Sequence, residues 1–226
     1  MSIQPSKISK TTTTTIEIQI VADLVCPWCF VGKRRLERAI EQFKATSSKQ
    51  VDFSVTWRPY QLLPNAPKQS IEKSVSYAQR FGADRAKQMI SGMVQIGKGE
   101  GIAFNYAGKI GNTFDAHRLI AYAKRFNLQN EVVEQLFHAY FENTQDIADN
   151  AVLVSIAGKA GLDQAKVQAY LDSEEGNDQV KEQLNRNKKD NISGVPSFFI
   201  QGRFYFSGAQ SPESFVSIFN DITSQQ

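Results

Sequence analysis

The sequence predicts an α/β protein: a βαβ unit opens the ordered chain, a long helical block follows, and a ββα unit closes it. Three observations carry this expectation. Apolar and polar residues alternate over Ile16–Val21 and again over Val51–Trp57, on either side of a segment with helical spacing. From about Ser70 to Asp190 the apolar pattern is helical almost throughout. Short apolar runs then return at Ser197–Ile200 and Arg203–Phe206, ahead of one more helical stretch.

Met1 to Thr15 is polar and ends in a threonine run, Thr11–Thr15. It has no apolar core segment and no small-residue cleavage site, so it reads as a disordered leader rather than a secretory signal. Lys7 and Lys10 without any arginine argue against a transit peptide. The default compartment is therefore the cytosol. After the first strand and Asp23-Leu24-Val25, the residues Phe30, Val31, Leu36, Ile40 and Phe43 recur at helical spacing. A helix is expected from near Cys26 to about Ala45, with Thr46-Ser47-Ser48 turning the chain into the second strand. Such crossovers join parallel strands. Pro59, Pro64 and Pro67 mark a loop.

Helices are then expected near 71–81, 83–98, 113–126, 129–142, 150–160, 163–171 and 174–189. Asp149 or Asn150 suits the start of the one ending at Gly161, and Asn112 or Thr113 the start of the one carrying His117. Gly97 to Gly111 reads as a loop with a short extended piece at Ile102 to Tyr106. Gln201-Gly202 supplies a tight hairpin turn, and Ser211-Pro212-Glu213 opens the last helix, which offers Phe215, Ile218 and Phe219 to the core. Without its helical block this order is the thioredoxin plan. The expected division is a leader over 1–15, a thioredoxin-like domain over 16–62 plus 192–226, and a helical insertion over 63–191.

At 226 residues and 41% hydrophobic, the chain can bury one large core. Its 26 basic and 23 acidic residues leave a net charge of +3, too little to suggest nucleic acid as a partner. Arg186, Lys188 and Lys189 read as a solvated helix face. No segment approaches the ~18–20 apolar residues of a membrane span.

The chemistry centres on Cys26-Pro27-Trp28-Cys29, which holds both cysteines of the chain. A cysteine where a strand hands over to a helix faces unpaired backbone N–H groups and the positive end of the helix dipole, which favour a thiolate. Pro27 loses nothing in the first turn, where its N–H would have no partner. Spacing i to i+3 brings the second sulfur back over the first turn. Cys26 is the expected exposed nucleophile and Cys29 the shielded resolving thiol, with Trp28 as a flat docking surface. Zinc needs four ligands, and only His117 and His138 remain to supply nitrogen; no metal and no cofactor beyond the Cys26–Cys29 pair is expected. Gly194-Val195-Pro196 before a strand can hold a cis proline. Asp23 is read two ways, as a proton acceptor or electrostatic tuner, or as a strand-end cap of the helix. His117 is expected to pack or to lie at the surface in preference to a catalytic role, and His138 to pack within its helix.

The segment Val21-Ala22-Asp23-Leu24-Val25-Cys26-Pro27-Trp28-Cys29-Phe30-Val31-Gly32-Lys33 resembles the active-site segment of the DsbA-like family, in its FrnE-like branch. The resemblance continues at Trp57–Tyr60, Asn112–Leu119, Leu136–Ile147 with Asp149, Gly194–Ile200 and Phe206–Gln210. It implies a thioredoxin-like fold (βαβ…ββα) with a large all-helical insertion. It also implies disulfide exchange by Cys26 and Cys29, with Pro196 as a cis proline opposite them. The implied partners are disulfide- or thiol-containing proteins or small molecules. Kappa-class glutathione transferases and 2-hydroxychromene-2-carboxylate isomerases are similar in layout, carry serine where this chain has Cys26, and bind glutathione. They supply the rival reading, with glutathione as co-substrate near Val195-Pro196. A homodimer through the helical block is compatible with the sequence but not required by it.

Overall fold

A computed structural model describes residues 14–67 and 69–225. Strand β1 (Thr14–Ala22), helix α1 (Pro27–Thr46) and strand β2 (Val51–Pro59) form the opening unit. β1 and β2 are parallel, in register from Thr14 opposite Val51 to Ala22 opposite Pro59. The closing unit is β5 (Ser197–Ile200), β6 (Arg203–Ser207) and α9 (Pro212–Ser224). β5 runs antiparallel to β1, and β6 antiparallel to β5, giving the sheet order β2-β1-β5-β6. Gln201 and Gly202 both take positive φ in the two-residue turn, as the strand twist demands. The chain is thus an α/β protein with a thioredoxin-like sheet.

Alternation explains which side of the sheet is filled. Ile16, Ile18 and Ile20 of β1 are buried in one row. α1 and α9 share an aromatic contact with β2: Phe219 lies 5.7 Å from Phe43 and 5.0 Å from Phe53, ring to ring. Burying one such ring is worth roughly 1.5–3 kcal/mol.

Between β2 and β5 the chain passes through α2 (Lys73–Phe81), α3 (Ala83–Glu100), α4 (Phe114–Ala123), α5 (Gln129–Phe137), α6 (Asn150–Lys159), α7 (Gln164–Asp172) and α8 (Asn177–Lys189). Caps fall where the side chains allow. Asp149 caps α6, accepting from the Ala151 N–H at 2.8 Å; at α4 the N-cap is Thr113, whose side chain makes no capping bond, and Asn112 just before it accepts from the Phe114 N–H at 2.9 Å. Gly161, at φ +92°, stands just past the end of α6. The insertion is welded to α1 at its first turn. Phe30, the residue after Cys29, stacks on Phe137 at 5.0 Å and meets Phe104 edge-on at 6.2 Å.

Three local expectations are corrected. The extended residues are not Ile102 to Tyr106 but β3 (Ile71–Glu72) and β4 (Lys109–Ile110), which pair antiparallel, so the helix expected from Ile71 starts at Lys73. The helix expected over 129–142 is α-helical only to Phe137 and continues as a π-helical turn over His138–Glu142, where the Asn143 N–H reaches the His138 carbonyl at 2.9 Å. Thr14 and Thr15, assigned to the leader, belong to β1, opposite Val51 and Asp52; the rest of the expected leader lies outside the described residues.

Candidate active site

The site forms where β1 ends and α1 begins. Cys26 is the N-cap of α1 with extended backbone, and Pro27 takes the first helical position. The Cys26 N–H donates to the Asp23 carbonyl at 3.1 Å, and the Cys29 N–H to the Cys26 carbonyl at 3.0 Å. These bonds turn the chain tightly and bring both sulfurs to one end of the helix. Both cysteines are free thiols. Trp28 is 40% exposed beside them.

Contrary to expectation, Cys26 is not exposed. It keeps only 5% of its surface, because the loop before β5 and the helical insertion close over it; Cys29 keeps none. The two still differ in their surroundings. Cys26 donates its thiol to the Val195 carbonyl at 3.6 Å. Burial pushes the Cys29 thiol well above its usual range, and the Cys26 sulfur and the Asp23 charge add to the rise. Cys29 is therefore held protonated beneath Cys26.

The Val195–Pro196 bond is cis. Pro196 is fixed by its own carbonyl, which accepts from the Gly208 N–H at 2.7 Å and from the Ser207 hydroxyl at 3.3 Å. Gly32 lets α1 approach this loop, since a Cβ there would stand 3.0 Å from Pro196 Cγ and 3.3 Å from the Phe198 ring.

Asp23 is fully buried. It does not cap α1; its Oδ2 accepts from the Leu62 N–H at 2.7 Å. Its Oδ1 lies 3.5 Å from His117 Nε2 and has no hydrogen-bond partner among the described residues. His117 is buried rather than at the surface. Its Nε2 is 2.8 Å from the Tyr60 carbonyl, which can only accept, so that nitrogen carries a proton. His138 lies away from the cysteines, half-buried between Glu134 and Glu142. Among the described residues, no group of three or more His, Cys, Asp or Glu is placed to hold a metal ion, and no helix is long and apolar enough to cross a membrane.

Three phenols at the site carry no signal in the sequence. Tyr77 of α2, Tyr106 of the loop before β4, and Tyr140 of the π-helical turn converge from the insertion; the Tyr77 and Tyr106 rings meet edge-on at 5.7 Å. The phenols join the site only through tertiary contact, and nothing in their spacing marks them. Gly32 did have a cue, as a helix-interior glycine three residues after Cys29.

The uncharacterized protein YwbO of Bacillus subtilis (strain 168) is 27% identical over 210 residues, covering 92% of this chain and 97% of that protein. A crystal structure described as a "probable DsbA oxidoreductase" from Streptomyces coelicolor superposes with a TM-score of 0.83 at 26% identity, over 93% of this chain and 91% of the other. A cytosolic disulfide reductase, DsbM, from Pseudomonas aeruginosa shares the fold, with a TM-score of 0.61 at 12% identity over 93% of this chain and all of its own. The family model described as the DSBA-like thioredoxin domain matches residues 17–220. With its sheet order, its cysteine pair at the head of α1 and that match across nearly the whole chain, the protein belongs to the DSBA-like thioredoxin family.

Proposed function

We propose that this protein is a thiol–disulfide oxidoreductase that works through a Cys26–Cys29 dithiol. The observation that carries the reading is the unequal setting of the two sulfurs. Cys26 stands at the N-terminus of α1, at the positive end of the helix dipole, with its sulfur against the Val195 carbonyl. Cys29 is buried and held as a thiol. The Cys26 thiolate attacks one sulfur of a substrate disulfide, and the other substrate sulfur leaves with the electron pair. Cys29 then loses its proton and attacks Cys26, closing the Cys26–Cys29 disulfide and releasing the second substrate thiol. Asp23, buried beside Cys29 with Oδ1 unpartnered, accepts that proton. His117 is a positioning residue; it holds the Tyr60 carbonyl two residues before the N–H that binds Asp23.

The neighbour titled a cytosolic disulfide reductase, solved also with GSH, supports a cytoplasmic setting and glutathione as a thiol partner. The fold is shared with a 2-hydroxychromene-2-carboxylate isomerase at 13% identity and a TM-score of 0.64, so a glutathione-dependent isomerase or transferase is the rival. A Cys29→Ser variant separates them: it stops net dithiol exchange and leaves a glutathione-activating enzyme working. The primary test is equilibration of the Cys26–Cys29 pair in glutathione buffers, read by thiol labelling. A potential near roughly −270 mV marks a reductant and one near roughly −120 mV a disulfide donor. If no reversible disulfide forms, the reading fails.

A further inference from the structure

An open groove of about 460 Å³ runs between the loop that follows β2 and the end of α8. Clefts of this size take a peptide segment or a small ligand. Half-buried Tyr60, Leu184 and Ile192 line it. Its two sides are pinned to one frame through Asn187. The Asn187 side-chain N–H donates to the Pro59 carbonyl at 2.8 Å, and its Oδ1 accepts from Arg58 Nε at 2.6 Å. The Ile192 N–H in turn donates to the Asn187 carbonyl at 2.9 Å. These bonds fix the spacing of the groove.

Its charge is one-sided. Lys181 and Lys188 line it, both exposed, and no carboxylate does so among the described residues. Neither ammonium has an ion-pair or hydrogen-bond partner among the described residues. Seven residues apart on one helix, they share a face two turns apart, roughly 10 Å along the groove. The acids of α8, Asp178 and Glu182, line the neighbouring surface instead, which Lys181 also borders. The groove also leads to the reacting sulfur. Ile192 stands three residues before Val195, whose carbonyl accepts from the Cys26 thiol, so at most roughly 11 Å of chain separates them. On the other side the Tyr60 N–H donates to the Ala22 carbonyl at 2.9 Å, and the Leu62 N–H, two residues on, donates to Asp23. A polypeptide whose cysteine meets Cys26 therefore brings residues three or four positions away, ~3.3 Å each, into the groove.

We propose that this groove docks an acidic segment of a polypeptide substrate, the stretch flanking the cysteine that reacts with Cys26. Carboxylates three residues apart in an extended segment are spaced roughly 10 Å, as the two ammonium groups are. They pair with Lys181 and Lys188 while the segment lies along Tyr60, Leu184 and Ile192. Glutathione, with one residue on either side of its cysteine, is too short to reach from Cys26 to both lysines. The inference rests on the exchange reaction proposed above and adds a substrate preference, acidic polypeptides over basic ones, set by docking and not by chemistry at the sulfurs.

The test uses the full-length reduced protein and mercaptoethanol mixed disulfides of three short peptides. The peptides are alike except that the positions flanking a single cysteine hold glutamates, glutamines or lysines. At low salt the glutamate peptide is expected to react about tenfold faster than the lysine peptide, with glutamine between, and the ratio to shrink as salt rises. Lys181→Gln combined with Lys188→Gln should cut that ratio to about twofold. It should leave the glutamine peptide and glutathione disulfide within about twofold of the parent, and iodoacetamide alkylation unchanged. Lys159→Gln combined with Lys166→Gln, at exposed lysines of α6 and α7 outside the groove, makes the same change in net charge and should keep the tenfold ratio. A parent indifferent to peptide charge, a ratio that survives in the groove variant, or an equal loss in both variants would each overturn the docking assignment while the exchange reaction stands. Glutathione disulfide slowing as much as the acidic peptide would give the groove to a small thiol and overturn it too. Failure of the parent protein to exchange with any disulfide would remove both.

Discussion

Cys26 lies between two walls built on opposite principles. The wall from the sheet is engaged and close-packed. Val195 accepts from Cys26, Pro196 accepts from Gly208 and Ser207, the Ser197 hydroxyl donates to the Gly194 carbonyl at 2.8 Å, and Gly32 presses α1 against the loop. The wall from the insertion is aromatic, and its Tyr106 and Tyr140 hydroxyls are unpartnered. Lys73, buried behind it, spends its ammonium on the Tyr140 carbonyl at 2.6 Å and sits over that ring; burial brings it down to about 8. A group already bonded must give up a bond to meet a newcomer, whereas an unpartnered one gives up nothing. The sheet wall thus suits the fixed positioning of the sulfurs, and the insertion wall suits contact with whatever enters. Asp23 is the exception, with one oxygen engaged and one free beside Cys29.

The largest expected effect breaks the sheet wall. Gly32→Val places branched carbon where the nearest Pro196 atom is 3.0 Å from a Cβ position and Ala209 Cβ is 3.7 Å away. Overpacking of this kind costs about 2–3 kcal/mol. Denaturant unfolding should show that loss together with slower exchange, because the Val195–Pro196 loop must move from Cys26. A variant of normal stability and normal rate would mean the close approach is idle.

Asp23→Asn tests the exception. The amide can keep the Leu62 N–H bond while removing the charge. Since the Asp23 charge helps raise Cys29, the Cys29 thiol should become more acidic, as followed by thiolate absorbance. Yet closure onto Cys26 should slow about tenfold or more, because the buried proton acceptor is lost. Opposite signs in the two measurements identify an acceptor. Faster closure would make Asp23 only an electrostatic brake.

The sequence held the sheet wall more fully than the insertion wall, for a physical reason. Strand alternation, the hairpin at Gln201-Gly202 and Gly194-Val195-Pro196 are local patterns, and each fixes its own geometry. The insertion's helices were legible from periodicity, but their meeting points were not. β3 and β4 contribute two residues each, too few for a period to register. The π-helical turn keeps Ala139, Tyr140 and Phe141 buried, so its apolar pattern reads as unbroken helix. The burial of Cys26 depends on residues from the insertion and the loop before β5, and the Tyr77–Tyr106 contact joins α2 to a loop beyond α3. His117 was placed on the right helix, but its bond to Tyr60 depends on how that helix docks.

The smallest expected effect concerns what holds the two walls together. Lys33 and Arg34, in the second turn of α1, both donate to Glu134 of α5, while Arg34 also donates to Glu37 at 2.9 Å and lies over the Phe30 ring. Burial alone would raise the Glu134 carboxyl, but the hydrogen bonds from Arg34 and Lys33 outweigh it and bring the group down to about 2 from its usual 4.5. A carboxyl lowered by folding stabilises the native state above its unfolded value and loses that contribution as pH falls through its folded value. Wild-type protein should therefore exceed Glu134→Gln by about 1 kcal/mol, roughly 2–4 °C in Tm for a chain of this size, after discounting for partial exposure. The gap should be constant above about pH 5 and close progressively below the usual carboxyl value. Thermal unfolding of both proteins between pH 7 and pH 3 measures it. A gap that stays constant to pH 3 would show that Glu134 acts through packing, so that the insertion is held to α1 by the Phe30, Phe137 and Phe104 contacts without help from charge.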